Sequence, residues 1–195
     1  SYMQADIQPK AGERYQNRLS ASIMCADFLD LRKTIEILND AQYDYIHFDV
    51  MDGSFFPDYL LGNKIIDDVK SISKIGHEYH LMIKNPAKYI DLLDVSENDS
   101  IVIHYELCEN IPTLLDQIRE KGCSVGLAID APTPPEAILN YYKKIDLVMV
   151  MLIHAGRMGS EFQKNCLHKI KNIRERIDRQ GYKVAIGVDG SVNRE

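Results

Sequence analysis

Four short segments carry side chains able to meet around a cation. In HFDVM, His47, Asp49 and Met51 alternate with Phe48 and Val50, and in YHLM the pair His80 and Met82 repeats the device. Residues i, i+2 and i+4 of a strand face one side, so each set shares a face. Met151 ends a third apolar run, LVMVM, and Asp189 ends a fourth, VAIGVD. Two imidazoles and two carboxylates at strand ends suit Zn²⁺, the first expectation, and equally Fe²⁺, Mn²⁺ or Co²⁺, because N/O ligation does not choose among them. Such a cation on a carbonyl and its neighbouring hydroxyl stabilises an enediolate and acidifies the adjacent C–H. If Asp49 and Asp189 flank opposite faces of a substrate, one removes a proton and the other returns one on the far side, inverting a stereocentre. The methionines would cap the intermediate with a polarisable surface that donates no protons.

Each residue alone has an ordinary explanation. A His-x-Asp pair on a strand usually serves packing or surface pairing, His80 alone reads as a satisfied core histidine, and methionines fill core gaps. Joint placement at strand ends is what favours chemistry. His104 and Glu106 follow the same alternation and are read as supporting or pairing groups. Asp130 reads as a cap for a following helix. The run KIKNIRERIDR, residues 169–179, reads as a solvated helix face.

These side chains need strands to hold them. Apolar runs near residues 19–24, 44–50, 77–82, 100–105, 123–129, 146–152 and 183–188 read as strands. Helix-face spacings join them: Leu31, Ile35 and Leu38; Ile111, Leu114, Leu115 and Ile118; Phe162, Leu167, Ile170, Ile173 and Ile177. Asn85-Pro86 should open a helix, and Pro132, Pro134 and Pro135 another. Gly122 and Gly181 fall where a helix needs a left-handed terminator. The third to sixth strands begin about 23 residues apart, the tight βα repeat of an α/β TIM (β/α)8 barrel. Only seven strands are found, so the eighth βα unit is absent from this chain. Residues 1–18 read as an N-terminal extension and 19–195 as one barrel domain.

The chain has 195 residues, with 23 Lys and Arg against 29 Asp and Glu, a formal charge of −6. That size implies one domain, and the mild acidity argues against nucleic-acid or anionic-membrane partners. Cys25, Cys108, Cys123 and Cys166 lie far apart with no CxxC pair, as expected of reduced thiols in the cytoplasm. No apolar run is long enough to span a bilayer.

The segments LSASIMCADF, HFDVMDGSFFPD, HLMIKNP, GLAIDAPTPPE and VDGS resemble, in order and spacing, the ribulose-phosphate 3-epimerase family from about Leu19 to Asn193. The resemblance implies a TIM barrel that interconverts D-ribulose 5-phosphate and D-xylulose 5-phosphate at C3 through a metal-bound enediolate. It implies that His47, Asp49, His80 and Asp189 are metal ligands, with Asp49 and Asp189 also the acid and base. Ser22 matches a substrate-touching serine, and Met51, Met82 and Met151 match methionines lining the site. Gly156, Gly159 and Gly190 match phosphate-holding loop positions. The chain departs from the family at His154-Ala155-Gly156-Arg157-Met158-Gly159, where Asn-Pro-Gly-Phe-Gly-Gly is usual. Met158 restricts backbone approach to an anion, while Arg157 offers a charge-assisted contact. Ser191 replaces a second glycine, and VDGS with MCADF resembles the allulose-6-phosphate branch. The expected partner is therefore a ketose phosphate, pentulose or hexulose, bound to a homo-oligomer. A catalytically weak sugar-phosphate-binding protein is the rival that the altered loop favours. A decarboxylase or synthase of related barrels is disfavoured, since no lysine sits beside the Asp49 strand end.

Overall fold

A computed structural model describes residues 2–3, 19–54, 59–60, 62–152 and 164–189. Seven parallel strands make up most of its nine-stranded sheet: β1 (Leu19–Ser22), β2 (Tyr45–Asp52), β3 (Gly76–Met82), β4 (Ser100–His104), β5 (Ser124–Ile129), β6 (Leu147–Met151) and β7 (Ala185–Asp189). Each pairs in parallel with the next in sequence. The two-residue segment Tyr59–Leu60 adds an antiparallel flap to β2, and Tyr2–Met3 pairs antiparallel with β1 and also touches β7.

The sheet is curled. Laid flat, β3 and β7 would be four strand spacings apart, about 19 Å, yet Asp189 Oδ2 of β7 lies 3.1 Å from His80 Nδ1 of β3. This is the TIM-barrel architecture, with seven parallel strands among the described residues. Period-2 alternation sorts the strand residues into two apolar layers. Met82, Val102, Ala128, Leu147, Met149 and Met151 face inward together. Phe48, Tyr79, Ile101, Leu127, Val148 and Ile186 face outward toward the helices.

The outer layer is completed by α1 (Leu31–Asp40), α2 (Asn63–Lys70), α3 (Ala87–Leu92), α4 (Ile111–Glu120) and α5 (Lys164–Gln180). In α4 the expected Ile111, Leu114, Leu115 and Ile118 are all buried, each such side chain being worth about 1.5–3 kcal/mol of burial. Gly122 and Gly181 end α4 and α5 at φ +82° and +69°, where a β-carbon would be strained. Among the described residues no helix is long and apolar enough to cross a membrane.

Several expectations change. The first strand stops at Ser22, and Ile23–Cys25 form a 3-10 turn capped by the Ser22 hydroxyl, which accepts from the Met24 N–H. The proline cluster opens no α-helix; it leads into 3-10 turns at Pro135–Ile138 and Tyr142–Lys144, as expected where prolines remove helix donors. Asp130 therefore caps no helix, and its carboxylate accepts from the neighbouring Ala131 N–H. Leu167 is 56 % exposed, and Cys166 instead joins Ile170, Ile173 and Ile177 in the core; Phe162 lies outside the described residues. Nor is residues 169–179 all solvated face. Lys169 and Arg174 are buried, the Lys169 ammonium donating to the carbonyls of Asp130 and Ala131 at 3.0 and 2.8 Å.

Candidate active site

The strand register gathers the polar residues at one end of the barrel. Asp49 stands opposite His80 and Met51 opposite Met82 across β2 and β3. Ser22 pairs with His47 across β1 and β2, and Met151 with Asp189 across β6 and β7. Along the ladder, Asp49 leads through His80, Val102, Gly126 and Leu147 to Ala185. A barrel with a shear of about 8 climbs about one residue per strand. The five steps from β2 to β7 thus lift the level of Asp49 from Ala185 to near Asp189.

Distances bear this out. Asp49 Oδ1 lies 2.9 Å from His47 Nε2 and 3.0 Å from His80 Nδ1. Asp189 Oδ2 lies 3.1 Å from His80 Nδ1 and 3.8 Å from His47 Nε2. All four donor atoms fall within 4.8 Å of one another. Donors about 2.0–2.1 Å from a tetrahedral cation stand about 3.3 Å apart, so the constellation fits one ion. The rings are fully buried, while Asp49 and Asp189 keep 15 % and 18 % exposure. The carboxylates are thus the members open to a ligand in the mouth.

Charge couples the group tightly. Burial alone would lower the basicity of both imidazoles, but Asp49 and Glu78 hold His47 well above its ordinary value. Asp189 and Asp49 likewise push His80 up to about 9, against its burial. Burial would raise the Asp49 pKa, yet His47 and His80 hold its carboxyl far below the usual carboxylate range. Without a cation, imidazolium protons supply the positive charge between the two carboxylates.

Of the other residues expected in the site, Met82 and Met151 are buried in the inner apolar layer and half-buried Met51 packs on it. Ser22 lies beside His47, its hydroxyl already engaged with Met24. Gly156, Arg157, Gly159, Gly190 and Ser191 lie outside the described residues.

A profile of the ribulose-phosphate 3 epimerase family matches residues 18–195. The chain belongs to this family. It is 33 % identical over 179 residues to the ribulose-phosphate 3-epimerase of Bacillus subtilis, covering 91 % of this chain and 82 % of that protein. The Chlamydia pneumoniae enzyme of the same name is 34 % identical over 176 residues, 89 % of this chain and 77 % of its own. The Schizosaccharomyces pombe enzyme is 30 % identical over 181 residues, 91 % and 78 %. The chain is an isomerase of the epimerase class, from a family acting on sugar phosphates.

The structure also brings Glu78, which the sequence pattern did not single out, against the cluster. Glu78, two positions before His80 and thus inward-facing, is 1 % exposed. Its Oε1 lies 2.7 Å from His47 Nδ1 and accepts from the Ser20 hydroxyl at 3.3 Å. A carboxylate behind a ligating imidazole fixes the ring and raises its basicity. The signal was the EYHLM alternation itself, which puts Glu78 on the face of His80 and Met82. His104, fully buried, approaches the far side of His80, Nε2 to Nε2 at 2.6 Å.

Proposed function

We propose that this epimerase interconverts D-ribulose 5-phosphate and D-xylulose 5-phosphate with one divalent cation, zinc in the first instance. His47 Nε2, Asp49, His80 Nδ1 and Asp189 would hold it. The observation that carries the reading is the four-donor cluster, with its rings buried and its two carboxylates facing the mouth. When bound, the cation polarises the ketose carbonyl and hydroxyl and acidifies the C3–H between them.

The chain's own residues do the rest. Asp49 projects from β2 and Asp189 from β7, and their carboxylates reach the same His80 Nδ1 at 3.0 and 3.1 Å. One carboxylate takes the C3 proton and the other delivers a proton to the opposite face. Met51, Met82 and Met151 offer no exchangeable proton, so a flattened C3 meets protons only from the two acids. Ser22 is assigned to a substrate hydroxyl. The phosphate is assigned to Gly156, Arg157, Gly159, Gly190 and Ser191, on their match to the family's loop positions. Cys108, Cys123 and Cys166 are unpaired, which supports a reducing, cytoplasmic setting.

Ser191 and the MCADF segment favour a second reading, epimerisation of D-allulose 6-phosphate to D-fructose 6-phosphate. Incubating zinc-loaded protein with each ketose phosphate in D₂O and following the C3 hydrogen by NMR tests both. Deuterium entering ribulose 5-phosphate as xylulose 5-phosphate forms is the expected result. Turnover of the hexulose alone moves the substrate to six carbons, and exchange into neither sugar leaves a sugar-phosphate-binding protein.

A further inference from the structure

We propose that His104 and Glu106 are positioning residues that fix the tautomer of His80, so that its Nδ1 presents a lone pair to the cation. The inference rests on the cation reading above and concerns how one ligand is prepared for it. His80 Nδ1 faces Asp49 and Asp189 at 3.0 and 3.1 Å. Its other nitrogen, Nε2, lies 2.6 Å from His104 Nε2. Two ring nitrogens that close must share one proton, with one donating and the other accepting.

The direction is set further out. His104 Nδ1 points at Glu106 Oε2, 3.4 Å away. A carboxylate only accepts, so His104 carries its proton on Nδ1 and accepts at Nε2. His80 must then donate from Nε2, which leaves Nδ1 as the ligand atom. Glu106 is itself held: its Oε1 accepts from the Asp130 N–H at 2.6 Å and from the Thr133 hydroxyl at 2.5 Å. The Asp130–Ala131 turn is pinned in turn by the buried ammonium of Lys169. The orientation thus runs from a carboxylate in the turn after β4 to a ligand on β3. His47 differs, since its rear nitrogen meets the Glu78 carboxylate directly.

Glu106→Gln tests the idea without removing volume or a ring. Its amide oxygen can keep the Asp130 and Thr133 bonds, and its NH₂ then faces His104 Nδ1 as a second donor. His104 is expected to move its proton to Nε2, forcing the His80 proton onto Nδ1, the ligand atom. His104→Leu removes the acceptor altogether. Zinc affinity, measured by competition with a chromophoric chelator, should fall about 10–100-fold in each variant. Nitrogen-15 NMR of the histidine rings should show Nε2–H on His80 in the wild type and its loss in Glu106→Gln. Wild-type zinc affinity in Glu106→Gln, with an unchanged His80 tautomer, overturns the proposal even if His104→Leu fails to fold. A lowered melting temperature with unchanged zinc affinity overturns it too, as a purely structural role. If the wild type itself binds no cation, the metal reading fails first and this inference fails with it, and that measurement separates the two.

Discussion

Asp189→Asn is expected to lower epimerisation by about 10²–10⁴-fold while leaving one-sided hydrogen exchange. Asparagine keeps the size of aspartate and an oxygen toward His80, but it cannot accept a proton at neutral pH. Asp49 keeps its carboxylate. In D₂O the variant should wash deuterium into C3 of one epimer, the one whose hydrogen faces Asp49, and leave the other epimer protonated. Net conversion needs both faces and should be lost. NMR of each pure epimer with folded, zinc-loaded variant checks this. Conversion at the wild-type rate removes Asp189 from proton transfer. Loss of exchange from both epimers together with loss of zinc makes it a ligand only.

Zinc binding should weaken steeply as the solution is made more acidic. The cation displaces the protons that bridge the carboxylates in its absence, and both rings hold those protons firmly: His80 up to about 9 and His47 well above its ordinary value. Each proton displaced makes affinity fall about tenfold per pH unit. Two displaced protons therefore predict a loss of about 100-fold between pH 8 and pH 7. Stability of the cation-free protein should run the opposite way over this range. A ring whose pKa rises on folding stabilises the fold below its unfolded value, about 6.5, and loses that contribution as pH climbs toward 9. Asp49, held low, contributes above the usual carboxylate range and loses its contribution as acid protonates it. The cation-free melting temperature should thus decline from about pH 6.5 to 9, while the rise produced by zinc grows. Calorimetric titration in buffers of different ionisation enthalpy counts the released protons. An affinity independent of pH between 7 and 8 would show that the rings hold none.

The inward-facing pattern was the most legible part of the molecule. His47, Asp49 and Met51 alternate on β2, His80 and Met82 on β3, and the parallel register brings them level without further information. Asp189 was legible because a strand end repeats at a fixed level around the barrel. Glu78 lies in the same alternation and was missed, because a carboxylate is costly to bury unless it is paired and hydrogen-bonded. Its partners, His47 Nδ1 and Ser20, come from other strands. Helix α2 was not singled out either: NKIIDDVK buries only Ile66 and Val69, too few apolar positions to declare a face. Lys169 and Arg174 read as surface charges because type alone does not say when an ammonium will find carbonyls. The proline-rich turn after β5 misled in the other direction, since proline at a helix start and proline in a 3-10 turn look alike. Nothing local in Tyr105–Leu107 announced that Glu106 would collect a backbone N–H and a hydroxyl from the turn at residues 130–133. That pairing depends on β4 and β5 lying side by side.

The most direct test of the central claim is anomalous diffraction from crystals of the zinc-loaded protein, recorded on both sides of the zinc absorption edge. A single peak is predicted about 2.0–2.2 Å from His47 Nε2, His80 Nδ1 and one oxygen each of Asp49 and Asp189. A peak held by other side chains, or a saturated protein with no peak between these four, would contradict it.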